Sequence, residues 1–140
     1  MKKWLQNLVI AFLLMLLFFL PVKNVSGNGI DVSIENQTGF ALKGLKISYF
    51  YNDKEIKIPS LKPEEHFKIN VHPKEPFSET SMKILYTDFE GKHREEVIVG
   101  YFEKGYQGSA KVKAKSVDSS GVITFQVEEE IFDYFEALWT

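Results

Sequence analysis

From residue 30 to residue 130, apolar and polar positions alternate in short blocks. Ile30, Val32 and Ile34 interleave with Asp31, Ser33 and Glu35, the period of a strand with one buried face. Leu45, Ile47, Tyr49 and Tyr51 share one face of a second run, and Ile56 and Ile58 begin a short third. Phe67, Ile69 and Val71 then alternate with His66, Lys68, Asn70 and His72. Turn-forming clusters separate these runs: Asn36–Gly39, Asn52-Asp53, the connection between Pro59 and Pro63, and Pro73–Thr80.

Two hairpins follow, with turns at Asp88-Phe89-Glu90-Gly91 and Asp118-Ser119-Ser120-Gly121. Closing the first at Glu90-Gly91 sets Met82 opposite Val99, Ile84 opposite Val97 and Tyr86 opposite Glu95. Pairing Val117 with Val122 in the second sets Ala114 opposite Phe125 and Val112 opposite Val127. The other face of that hairpin then carries Lys111 opposite Glu128 and Lys113 opposite Gln126. Core pairs and charge pairs agree in this register, as cross-strand packing requires. The count is seven or eight strands, with no stretch long enough for a crossover helix, so a parallel α/β sheet is disfavoured.

The layout resembles small immunoglobulin-like β-sandwich domains exported by Gram-positive bacteria. The likeness is carried by Glu35-Asn36-Gln37-Thr38-Gly39, Leu45-Lys46-Ile47-Ser48-Tyr49 and Leu61-Lys62-Pro63-Glu64-Glu65. The last group looks like a Leu-x-Pro-Gly-Glu connection with Glu64 in place of glycine. The resemblance covers residues 30–72 and implies a fold without an activity. The expected architecture is an all-β, antiparallel immunoglobulin-like sandwich over residues 28–130. A helical period appears only at the end, where Ile131, Tyr134, Phe135 and Leu138 fall at i, i+3, i+4 and i+7. Glu128, Glu129 and Glu130 precede it and favour a helix N-terminus through the dipole. Residues 131–140 are therefore expected to form a short amphipathic C-terminal helix or tail.

The N-terminal pattern is different. Lys2 and Lys3 precede Leu8–Leu20, a run without a polar side chain that Pro21 follows. That run is shorter than the roughly 20 residues needed to cross a bilayer and fits the apolar segment of a signal peptide. Val25-Ser26-Gly27 supplies small residues for cleavage after Gly27, giving a signal peptide over residues 1–27. The alternative is an uncleaved anchor, with the domain still outside the membrane by the positive-inside rule. The reading is a secreted protein, or a membrane-tethered one if the segment stays attached.

Composition narrows the chemistry. The 140 residues carry 17 basic and 19 acidic side chains, a net charge of −2 and no cysteine. A disulfide scaffold, a thiolate metal site and a cysteine nucleophile are thereby excluded. Residues 1–27 hold Lys2, Lys3 and Lys23 and no acid, so cleavage leaves a mildly acidic domain that is expected to avoid nucleic acid and anionic lipid. His66 and His72 lie about 20 Å apart along one strand, too far for one metal ion. They fall out of phase with Phe67, Ile69 and Val71, which places them at the surface, and His93 sits between Lys92 and Arg94 beside a turn. No G-x-S-x-G elbow, phosphate loop or EF-hand loop is present. The sequence therefore points away from an enzyme and assigns no catalytic residue, no cofactor and no metal. A small hydrolase using surface carboxylates is the alternative, since any two strands can bring acids together.

Two segments stand out as partner-binding candidates. The first is Gly100–Gly108, where Tyr101, Phe102 and Tyr106 lie among glycines. Tyrosine offers contact area and a hydrogen-bonding tip, while the structural alternative has Tyr101 and Phe102 closing the end of the core. The second is the tail, with Tyr134, Phe135, Leu138 and Trp139. It either packs on the domain itself or docks another exported protein. The function these features suggest is a small exported non-catalytic binding or accessory module, working in the extracytoplasmic space or cell envelope. Its partner would be another exported or cell-surface protein.

Overall fold

The computed structural model describes residues 29–49, 55–74 and 77–133. The expected signal segment, Tyr51 and the tail residues Tyr134, Phe135, Leu138 and Trp139 lie outside these. Eight strands are described: β1 (Ile30–Asn36), β2 (Lys46–Tyr49), β3 (Ile56–Lys57), β4 (His66–Val71), β5 (Thr80–Thr87), β6 (His93–Phe102), β7 (Tyr106–Val117) and β8 (Ile123–Asp133). They form two four-stranded sheets, ordered β4-β1-β7-β8 and β3-β2-β5-β6. The described residues are all-β, with no helix among them.

The alternation read from the sequence is the alternation that folds. In β1 the even positions are buried and Asp31, Ser33 and Glu35 look outward. Inward residues of both sheets meet in one core, including Val32, Ile34, Ile47, Ile84, Val99 and Val112. Burying such side chains is worth roughly 1.5–3 kcal/mol each, which is how two sheets without a disulfide cohere. At one end Phe102 is fully buried and packs edge-on against Phe77 at 5.5 Å and Tyr49 at 5.8 Å.

The strand pairing departs from an all-antiparallel scheme in one place. β1 pairs antiparallel with β4 but parallel with β7. Both flanking strands lie far along the chain, so the pairing has no local sequence signature. Gly108, the third residue of β7, has a conformation that demands glycine: its φ is +145°, and a Cβ there would sit 2.0 Å from the Glu130 carbonyl oxygen.

The hairpin registers hold in part. Met82 pairs with Val99 as expected, but Ile84 pairs with Glu96 and Tyr86 with Arg94, one residue from the expected Val97 and Glu95. The cause is a β-bulge that inserts Ile98, so Ile98 and Val99 are buried in succession. In the second hairpin Ala114–Phe125, Val112–Val127, Lys111–Glu128 and Lys113–Gln126 all pair as expected. A bulge at Lys115 then moves Val117 opposite Ile123 rather than Val122. The two turns dock on each other, with Phe89 N donating to Ser120 O at 2.9 Å and Ile123 N to the Tyr86 hydroxyl at 3.0 Å.

The helix expected to begin at Ile131 does not begin there. Ile131, Phe132 and Asp133 extend β8, paired with Gly108, Gln107 and Tyr106. A ladder of main-chain hydrogen bonds to β7 outweighs the local helical period and the weak dipole preference of the preceding glutamates.

The Asn36 turn ties the connections together at the other end. Asn36 is fully buried, and its amide donates to Phe40 O at 2.7 Å and Leu61 O at 2.9 Å. Its Oδ1 accepts from Thr38 N at 3.0 Å and Thr38 Oγ1 at 2.7 Å. Its backbone bonds Glu65 O and Glu64 N. Glu64 has φ +66°, the left-handed conformation for which glycine is the usual choice.

Candidate binding surfaces

The tyrosine end is built by an irregularity in β6. Between the Thr80–Phe102 and Met82–Val99 pairs the register shifts, because β6 carries an additional residue there. Phe102 consequently turns into the core and Tyr101 turns out, 46% exposed. A tight connection, Glu103–Gly105, then leads into β7, where half-buried Tyr106 meets Tyr101 edge-on with ring centroids 5.7 Å apart. The Tyr101 hydroxyl donates to Glu103 Oε1 at 2.5 Å. That hydrogen bond, followed by one with Tyr106, pushes the Tyr101 phenol well above its ordinary range. Tyr101 therefore remains a neutral phenol whose hydroxyl is engaged within the protein, and what it presents to solvent is an oriented apolar ring.

Of the residues singled out in the sequence, Tyr101 and Tyr106 come together on this end. Phe102 belongs to the core beneath them. Tyr134, Phe135, Leu138 and Trp139 follow Asp133, which pairs with Tyr106, and lie outside the described residues. The seam beside this cluster is closed by Glu129, which projects inward next to buried Ala110 and accepts a hydrogen bond from Gly100 N at 2.9 Å. An inward carboxylate on an edge strand satisfies a free main-chain donor and discourages pairing with another chain.

The outer face of the β4-β1-β7-β8 sheet is a second surface that the sequence did not reveal. The two registers of β1 set Lys68, Ser33 and Lys111 in one row and Asn70, Asp31 and Ser109 in the next. Around them lies a shallow depression of about 440 Å³. Asn70 Nδ2 donates to Asp31 Oδ1 at 2.9 Å. Further along, Lys113 lies 3.7 Å from Glu128 and Lys115 donates to Gln37 at 2.5 Å. The sequence shows no sign of this grouping, because it depends on the parallel β1–β7 pair.

The opposite sheet carries a comparable depression of about 400 Å³ beside Lys46, Glu55, His93 and Arg94. Its cations are already engaged, Lys46 with Glu55 at 2.6 Å and Arg94 with Asp88 at 2.8 Å. His66, His72 and His93 are all exposed. Among the described residues, no three histidine or carboxylate side chains are grouped to hold a metal ion.

No family model matches the chain, and no curated protein matches it. Among solved structures it is similar to an NMR structure of a protein from Eubacterium rectale. The two are 14% identical, the match covers 78% of this chain and 96% of that one, and the TM-score is 0.49.

Proposed function

We propose that the chain is a small exported, non-catalytic binding or accessory module of the extracytoplasmic space or cell envelope, with an immunoglobulin-like domain. The observation that carries the binding role is the Tyr101–Tyr106 pair. An exposed ring, held by a carboxylate and a neighbouring aromatic on the end of a two-sheet frame, loses little freedom when a partner covers it. The immunoglobulin-like reading is supported by the chain's repeated passage between the two sheets and by the parallel β1–β7 pair. The export reading is supported by Lys2-Lys3, the apolar Leu8–Leu20 run and Val25-Ser26-Gly27. The partner is another exported or cell-surface protein.

The test is photocrosslinking in the producing cells. A photoreactive residue placed at Tyr101 is compared with one at Thr124, which is exposed on β8 at the other end. A discrete adduct from position 101 that is absent from position 124 is the expected result. Equal labelling from both positions, or none from position 101, refutes a binding role for this end.

A further inference from the structure

The outer-face depression combines two kinds of recognition chemistry. Adjacent strands lie about 4.8 Å apart, so Lys68 on β4 and Lys111 on β7 flank Ser33 on β1 within about 10 Å of each other. Neither lysine has a carboxylate within 4.0 Å among the described residues, unlike Lys46, Lys83, Lys92 and Lys113. Two lysines thus stand on either side of a hydroxyl across three paired strands, and Glu128, next in the row beyond Lys111, lies 3.7 Å from Lys113 instead. The adjoining row holds the opposite complement: the Asp31 carboxylate, the Asn70 amide bonded to it and the Ser109 hydroxyl. That row accepts and donates hydrogen bonds but repels an anion. A ligand satisfying both rows carries its negative group at one end and hydroxyls at the other.

We propose that this face is a binding site for an anionic polyol or sugar, with its oxyanion between Lys68 and Lys111 over Ser33 and its hydroxyls on Asp31, Asn70 and Ser109. The oxyanion is a phosphate or a carboxylate; both are drawn by paired ammonium groups, and lysine binds either as a point charge. The floor is rigid, because Val32 beneath it is buried and β1 is paired on both sides. The site lies on the sheet face and does not depend on the tyrosine end.

The test uses the full chain in neutral detergent, titrated by NMR with glycerol 3-phosphate and with glucuronate, against glycerol and glucose at equal concentration. The expected result is millimolar binding of at least one anion. The shifts should be confined to amides of residues 31–33, 68–70 and 109–111, with at least tenfold weaker binding of the neutral compounds. Binding should weaken at least tenfold in the K68Q/K111Q double variant and several-fold in Asp31→Ala, with melting temperatures within about 2 °C because these side chains are at the surface. Which anion binds separates a phosphate ligand from a carboxylate one. No localised shifts with either anion, equal response to the neutral compounds, or undiminished binding by K68Q/K111Q overturns the proposal. Loss in K68Q/K111Q without loss in Asp31→Ala also overturns it, because it leaves only a generic charge effect.

Discussion

Replacing Asn36 by alanine tests how the connections are held to the frame. The substitution removes an amide that makes four hydrogen bonds from a fully buried position. Two of the partners keep an alternative: Phe40 O still accepts from Thr38 Oγ1 at 3.0 Å, and Leu61 O from Leu42 N at 2.8 Å. The Thr38 N–H loses its acceptor inside a residue only 5% exposed. One unsatisfied buried donor costs about 1–3 kcal/mol, and the space left by the amide adds about 1 kcal/mol. The expected loss is about 3 kcal/mol. For a domain of this size that is a fall of about 10–20 °C in Tm. Urea unfolding followed by far-UV circular dichroism reads it as a lower midpoint at unchanged slope. The matching surface control is Gln37→Ala, whose side chain bonds only exposed or half-buried Lys115 and Glu35 and should cost less than about 0.5 kcal/mol. A loss below about 1 kcal/mol for Asn36→Ala, or equal losses for both variants, refutes the reasoning.

Glu64→Gly should stabilise the protein. A non-glycine residue in the left-handed region costs about 1–2 kcal/mol, and glycine returns part of that through a freer unfolded chain. The net gain of about 0.5–1 kcal/mol appears as a Tm higher by a few degrees, and an unchanged or lower Tm contradicts the strain argument. Acid sensitivity should depend on Asp88. Burial raises its pKa, but the N–H groups of Lys92 and Glu90 and the Arg94 guanidinium outweigh that and hold the carboxyl below its ordinary range. A lowered native pKa stabilises the folded state above the unfolded value of about 3.9, and this contribution disappears as pH falls through the native value. Urea midpoints measured from pH 6 to pH 2 should therefore fall less steeply for Asp88→Asn than for the wild type. Parallel curves would remove Asp88 from the account.

How much of this was legible depended on the distance over which each feature is determined. The β7–β8 pairs Val112–Val127 and Lys111–Glu128 could be read because turn and strands are contiguous, and two faces voted for one register. The same logic failed at Ile84 and Val117, where bulges at Ile98 and Lys115 shift the pairing by one residue. A bulge leaves only a weak trace, such as the three consecutive apolar residues Val97-Ile98-Val99. Ile131 was misread because its helical spacing is local, whereas the ladder that holds it extended is supplied by Gly108 across β7. The Asn36-x-Thr38 turn was visible as a turn, but its grip on Leu61 required the fold. Tyr101, Phe102 and Tyr106 stood out as three aromatics in a glycine-rich segment, but that Phe102 turns into the core while Tyr101 meets Tyr106 required the fold. The Lys68–Ser33–Lys111 row did not stand out, since three strands meet there through pairings that no neighbouring residues encode.

The export claim is the one on which the cellular reading rests, and the intact mass of the native protein in fractionated producing cells tests it most directly. A mass beginning at Asn28, in the medium or cell-wall fraction, is the predicted result. A mass that retains residues 1–27, in either the membrane or the cytosolic fraction, contradicts a released module.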